Sequence, residues 1–268
     1  MAAKSAIRLL RSEMTRANPV GEPVNESPAK DWRAAAVVFY DGEAEIKSQV
    51  ARHKLFVRSY RRVLDRLGLP AGSALVDAGC GCGELAGAAV GSSIRVVGVD
   101  LSPVSLRTAT NFHPEDAFLE ADLHRLPFGD NSFDGAAAIT SVEFCRDRPA
   151  VLRELGRILK TRGRLYLDVR NDAFWPFRLL QPLLPLLQKI RILEPYPADG
   201  FRDLTLGEWK AMLAKEGFSL HSEHPSVWPW NFGSLLSRCK NLVIQVVKVT
   251  LPLRHHYMVG LVLEKRPG

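Results

Sequence analysis

Short apolar runs separated by glycine turns set the pattern of the middle of this chain, and helical periodicity frames it on both sides. Leu75-Val76-Asp77-Ala78 is a buried strand that enters the turn Gly79-Cys80-Gly81-Cys82-Gly83, after which Glu84-Leu85 begins a helix. A second short apolar strand, Arg95-Val-Val-Gly-Val-Asp100, ends in a carboxylate. Upstream, Ile46, Val50, Leu55, Val57, Tyr60, Val63, Leu64 and Leu67 recur near helical spacing, and Gly68 with Pro70 ends the helix. Downstream, Thr205 with Glu208 three residues on forms a capping signature for a helix that Gly217 terminates. Phe218–Glu223 follows as a strand, and Tyr257–Glu264 suits a final strand lying antiparallel in the sheet.

The strand, glycine turn and helix around residue 80 bring bare backbone and free helix N–H groups close to a ligand. An acid such as Asp100 at the tip of the next strand of a βαβ unit sits where it accepts hydrogen bonds from ribose hydroxyls. Gly79, Gly81 and Gly83 are spaced G-x-G-x-G, whereas the dinucleotide fingerprint G-x-G-x-x-G requires glycine at position 84, where this chain has Glu84. An acid there repels a pyrophosphate. Asp77 points the same way, since a carboxylate suits an ammonium group. The ligand expected is a nucleoside carrying an amino-acid end and no phosphate.

On these residues the chain resembles the class I S-adenosylmethionine-dependent methyltransferases, and within them the small-molecule branch that includes quinone-biosynthesis methyltransferases. The likeness extends over roughly residues 72–170. Ala121-Asp122-Leu123 with Leu126-Pro127-Phe128 resembles the family's third-strand end, and Asn131–Ile139 its fourth strand. Leu152–Leu167 resembles its helix, turn and fifth strand. The resemblance implies an α/β fold: a Rossmann-like, seven-stranded, mostly parallel sheet with helices on both faces and a C-terminal antiparallel strand. It also implies S-adenosylmethionine as cofactor. Asp77, Gly79, Gly81 and Gly83 would hold its methionine part, Asp100 its ribose, and Asp122 with Leu123 its adenine, with Leu101 packed on the adenine face. For Asp122 a role as cap of the following turn stays open. Tyr40, in Phe39-Tyr40-Asp41, is a candidate contact to the methionine end or an aromatic of the core.

Composition adds bounds. The 268 residues, 46% hydrophobic and 24% charged, suffice for one sizeable α/β core with appendages. A net charge of +7 permits anionic partners, but the basic residues are scattered. Cys80, Cys82, Cys145 and Cys239 lack zinc spacing, so no metal is expected, and a reducing, cytoplasmic setting is the default. Residues 1–30 read as a flexible tail and linker, the first 16 forming either a frayed end or a short basic amphipathic segment. Residues 31–268 read as one methyltransferase domain.

That domain carries two apolar insertions, near 173–200 and 228–254. Pro176, Pro182 and Pro185 break up the first, and Arg238, Lys240 and Lys248 interrupt the second. Neither offers the twenty or so apolar residues of a membrane span. They are read as a lid for a lipophilic acceptor, as a surface touching a membrane peripherally, or as additional core.

Methyl transfer from an activated sulfonium requires in-line placement and exclusion of water, with a base only where the acceptor must lose a proton. The weak base candidates are His53, His124 and Glu143; where many relatives carry a histidine after that acid, this chain has Phe144. Arg170, Asn171 and Asp172 are expected near the acceptor. The function expected is methyl transfer to a small, lipophilic acceptor. The alternatives are a non-catalytic cofactor-binding protein of the same fold, and a nucleic-acid methyltransferase, which the absence of an Asn/Asp-Pro-Pro-aromatic or Pro-Cys motif disfavours.

Overall fold

The computed structural model describes Val37, Asp41 and residues 54–171, 204–226 and 258–267. Its centre is a seven-stranded sheet in the order β3-β2-β1-β4-β5-β7-β6. The strands are β1 Ala74–Ala78, β2 Arg95–Asp100, β3 Ala117–Glu120, β4 Phe133–Ile139, β5 Leu159–Arg170, β6 Phe218–Pro225 and β7 Met258–Lys265. Pairing is parallel from β3 through β5. β7 runs antiparallel to both of its neighbours, β5 and β6. From β1 the chain builds outward through β2 to β3, then restarts on the other side with β4. The crevice at the carboxyl ends of β1 and β4 is therefore the switch point at which open α/β sheets bind ligands.

Helices cover both faces: α1 Lys54–Leu67, α2 Glu84–Ala89, α3 Pro103–Phe112, α4 Arg148–Ile158 and α5 Leu206–Lys215. Because alternate residues of a strand point to opposite faces, β1 feeds two cores. Leu75 packs with Tyr60, Val63, Leu64 and Leu67 of α1 and Leu85 of α2. Val76 and Ala78 pack on the other face with Val151, Leu152 and Leu155 of α4 and Trp209 of α5. The expected capping signature of α5 is complete. The Thr205 hydroxyl accepts from the Glu208 N–H, and the Glu208 carboxylate accepts from the Thr205 N–H at 2.8 Å.

The turn expected between α4 and β5 takes another form. β5 starts at Leu159 directly after the helix and kinks inside itself, with Arg162 at φ 62°. A Cβ on Gly163 would lie 2.8 Å from the Lys160 carbonyl oxygen, so glycine permits the kink. Tyr40, the N-terminal tail and both insertions lie outside the described residues. Asp41 is described: it accepts the Ser102 hydroxyl hydrogen bond at 2.5 Å, tying the upstream chain to the cap of α3. Among the described residues, no helix is long and apolar enough to cross a membrane.

Candidate active site

Gly79, at φ 83°, lets the chain leave β1 in a left-handed turn. Its N–H and that of Cys80 both donate to the Val99 carbonyl, at 2.8 and 2.9 Å. The hydroxyl of Ser141, after β4, donates to the Ala78 carbonyl at 2.6 Å. A Cβ on Gly79 would stand 2.4 Å from the Ser141 Cβ. The turn is thus wedged between the ends of β2 and β4. Gly81 donates its N–H to Oδ2 of Asp100, and Ser102 donates its own to Oδ1, each at 2.9 Å. Both carboxylate oxygens are thus aimed by backbone donors.

The cleft above this floor has a cavity volume of about 120 Å³. Asp77, Gly79, Gly81 and Asp100 line it, as do Leu101, Asp122, Leu123 and His124. Gly83 does not; a Cβ there would meet His113, Ala109 and Phe118 at 3.1–3.3 Å, so this glycine serves the packing of α2 on α3 and β3. His53 lies outside the described residues. Oδ1 of Asp122 accepts the His124 N–H at 2.9 Å and lies 2.6 Å from its Nδ1. Asp122 therefore caps its own turn while still facing the cleft. Glu143 is not among the lining residues. It is 3% exposed, with its carboxylate 3.4 Å from Nε of Arg170.

Lining residues that carried no site signal in the sequence include Tyr60, Ser105, Thr140 and Cys145. Tyr60 reads as one position of an apolar helical stripe, and the other three come to the cleft only through the order of the strands. Cys80, Cys82 and Cys145 are buried thiols, and Cys80 packs under Gly98, where a Cβ would lie 2.8 Å from its sulfur. Burial pushes the Cys145 thiol up to about 12, which leaves it protonated and a poor nucleophile. Among the described residues, no cluster of three or more His, Cys, Asp or Glu side chains is placed to hold a metal.

Charge decides what the cleft accepts. Burial, then Glu84 and Asp100, hold the Asp77 carboxyl well above the usual range. Burial, then Glu84 and Asp77, raise the Tyr60 phenol. Glu84 lines the cleft as well, and no lysine or arginine does among the described residues. Three carboxylates lining a cleft that no described lysine or arginine lines favour a positively charged ligand with hydroxyl donors and oppose a phosphate.

Comparison with known proteins identifies the family. The profile of a family described as a methyltransferase domain matches residues 76–167, which span β1 to β5. The chain is 32% identical over 188 residues to the O-methyltransferase rstn1 of Aspergillus nomiae, covering 67% of this chain and 77% of that protein. It is 30% identical over 177 residues to a 2-phytyl-1,4-naphtoquinone methyltransferase of Nostoc sp., covering 59% and 77%. The fold is shared with a methyltransferase solved in complex with the Trm112 activator of Haloferax volcanii. That likeness has a TM-score of 0.63 at 18% identity over 85% of this chain and 98% of the other. A Rossmann-like sheet with an acidic, glycine-floored cleft is the architecture of a methyltransferase. The chain belongs to the class I S-adenosylmethionine-dependent methyltransferases and is an enzyme of that family.

Proposed function

We propose that the cleft binds S-adenosylmethionine and that the enzyme passes its methyl group to a small, lipophilic acceptor. The observation that carries this is the trio Asp77, Glu84 and Asp100 lining a cleft that no lysine or arginine lines among the described residues. A cofactor with an ammonium and a sulfonium relieves that repulsion, whereas a dinucleotide would add to it. Asp77 and the glycine floor suit the methionine part, and Gly83 supports that floor by letting α2 pack closely. Asp100, aimed by Gly81 and Ser102, suits the ribose. Leu101, Asp122 and Leu123, on the β2–β3 side, suit the adenine. The cofactor supplies an activated methyl group, so the protein's task is to orient the acceptor and keep water out.

The lipophilic acceptor is supported by the two apolar insertions, which join the sheet at its carboxyl edge, and by the quinone named for the Nostoc relative. A basic chain of this kind suits work in the cytoplasm on an acceptor presented at a membrane face, through peripheral contact. Nucleic acid has no place in this reading, since the basic residues form no block. Residues 31–268 act as one domain. Of the two base candidates among the described residues, His124 lines the cleft and Glu143 does not; the His124 Nδ1 is turned to Asp122, which favours an orienting role at the adenine end.

Calorimetric titration with S-adenosylmethionine, S-adenosylhomocysteine and NAD tests the proposal. Micromolar binding of the first two, lost in Asp100→Ala and absent for NAD, is expected. Folded protein that binds neither would overturn it.

A further inference from the structure

Glu143, a base candidate in the sequence, is not among the residues that line the cleft. Its Oε1 lies 3.4 Å from Nε of Arg170, and its Oε2 accepts the Arg170 backbone N–H at 3.3 Å. The Arg170 guanidinium carbon then stands 5.4 Å from the centroid of the Phe144 ring, over that ring. Phe144, unlike Glu143, lines the cleft.

The path returns on itself. The Arg170 carbonyl accepts the indole N–H of Trp209 at 3.1 Å. The guanidinium of Arg148 sits over the Trp209 ring at 5.4 Å. That same guanidinium donates to the Glu143 carbonyl through Nε at 3.2 Å and Nη2 at 2.8 Å. These contacts close a ring through the single 3₁₀ turn Val142–Phe144, α4, α5 and the end of β5. Removing a carboxylate and a guanidinium from water is costly, and such pairs are best attested where they fix one arrangement against its alternatives. Here the arrangement fixed is the place of the aromatic ring between them and the cleft.

The strand order says which part of the ligand that ring meets. Asp100, Leu101 and Leu123 stand on the β2–β3 side of β1; Phe144 follows β4, on the other side. With the nucleoside on the first side, as the cofactor reading above requires and on which this step rests, Phe144 is left to wall the side from which the acceptor approaches. Ile139, Thr140, Ser141 and Cys145 line the cleft beside it, and Phe144 gives this mixed wall its one aromatic face.

We infer that Phe144 selects the acceptor by offering a flat apolar surface to a planar ring, and that Glu143 is a positioning residue that holds Phe144 in place through Arg170. The test is binding of 2-methyl-1,4-naphthoquinone to full-length protein saturated with S-adenosylhomocysteine, in wild type, Phe144→Ala, Phe144→Trp, Glu143→Gln and Arg170→Lys. Thermal melts establish that each variant is folded. Phe144→Ala should weaken naphthoquinone binding about tenfold or more, and Phe144→Trp should stay within about threefold of wild type. Glu143→Gln should weaken it about three- to tenfold, with Arg170→Lys less affected because its charge is kept. The S-adenosylhomocysteine Kd should move less than about twofold in all four.

Wild type that binds S-adenosylhomocysteine but no naphthoquinone overturns this inference and leaves the cofactor reading standing. So does Phe144→Ala that binds naphthoquinone as wild type does. Equal loss of both ligands in Glu143→Gln would show that the ring supports the cofactor floor instead of the acceptor wall. Wild type that binds no S-adenosylhomocysteine overturns the cofactor reading and this inference with it.

Discussion

Gly81 donates its backbone N–H to Oδ2 of Asp100 at 2.9 Å, which makes the glycine turn and the acid at the tip of β2 one mechanical unit. The acid is aimed by the turn, and the turn is held by the acid. Removing Asp100 therefore has two effects. Asp100→Ala should lower cofactor affinity about a hundredfold, and leaving the Gly81 and Ser102 N–H groups without their acceptor should cost about 1–3 kcal/mol of stability. Calorimetry and denaturant melts on the same preparation separate the two, and Asp100→Asn should recover part of the stability without the affinity.

Gly79 has no room for a side chain. A methyl group there would lie 2.4 Å from the Ser141 Cβ, on a residue already at φ 83°. Gly79→Ala should destabilise by about 1–2 kcal/mol from the left-handed backbone alone, and by more from the clash. Ser141→Gly in the same chain should restore the second part and not the first. A double-mutant cycle on melting free energies measures that coupling.

The acidic cleft gives the empty enzyme a pH signature. In the unfolded chain Asp77 loses its proton near pH 3.9; in the fold, burial and its acidic neighbours hold the proton to higher pH. Between those values the folded state binds the extra proton. The contribution of Asp77 is therefore fully present below the unfolded value and lost as pH rises through the folded one. Apo Asp77→Asn should melt higher than wild type at neutral pH, with the gap narrowing toward about pH 4. The same variant should bind the cofactor at least about tenfold less well. A melting series across pH with and without cofactor checks both.

His113 acts in the opposite sense. Its ring packs under α2, within 3.0–3.1 Å of where side chains on Gly83 and Gly87 would begin, and burial lowers its pKa. The unfolded chain takes up that proton near pH 6.5 while the folded one resists it. Stability is full above that value and falls as pH drops below it, levelling off beneath the folded value. His113→Asn should flatten this loss in melts between about pH 8 and pH 5.

What could be read from the sequence was local. Strand, glycine turn, helix and acid lie within the residues from Leu75 to Asp100, and the chemistry needs those residue types at that spacing. The capping pair Thr205 and Glu208 was legible for the same reason, since a helix start is written within one turn. Tyr60, Ser105 and Cys145 were not legible, because only the packing of the helices on the ordered sheet brings them to one cleft. Glu143 shows the converse. An acid beside the expected site invites a catalytic role, and nothing near it in sequence reveals that Arg170, 27 residues on, takes its carboxylate.

The carboxyl edge of the sheet also fixes where this enzyme can be changed. Residues 172–203 leave from Asn171, whose side chain accepts the Leu206 N–H at 3.0 Å where the chain comes back. Residues 227–257 leave from Ser226, whose N–H donates to the Met258 carbonyl at 3.2 Å on their return. Each segment thus starts and finishes at a stitched pair of ends, on the edge where the cleft opens and away from the glycine floor. Such segments behave as cassettes. Because those ends are fixed by described residues, grafting either segment from a relative should leave the register of β5, β6 and β7 as it is.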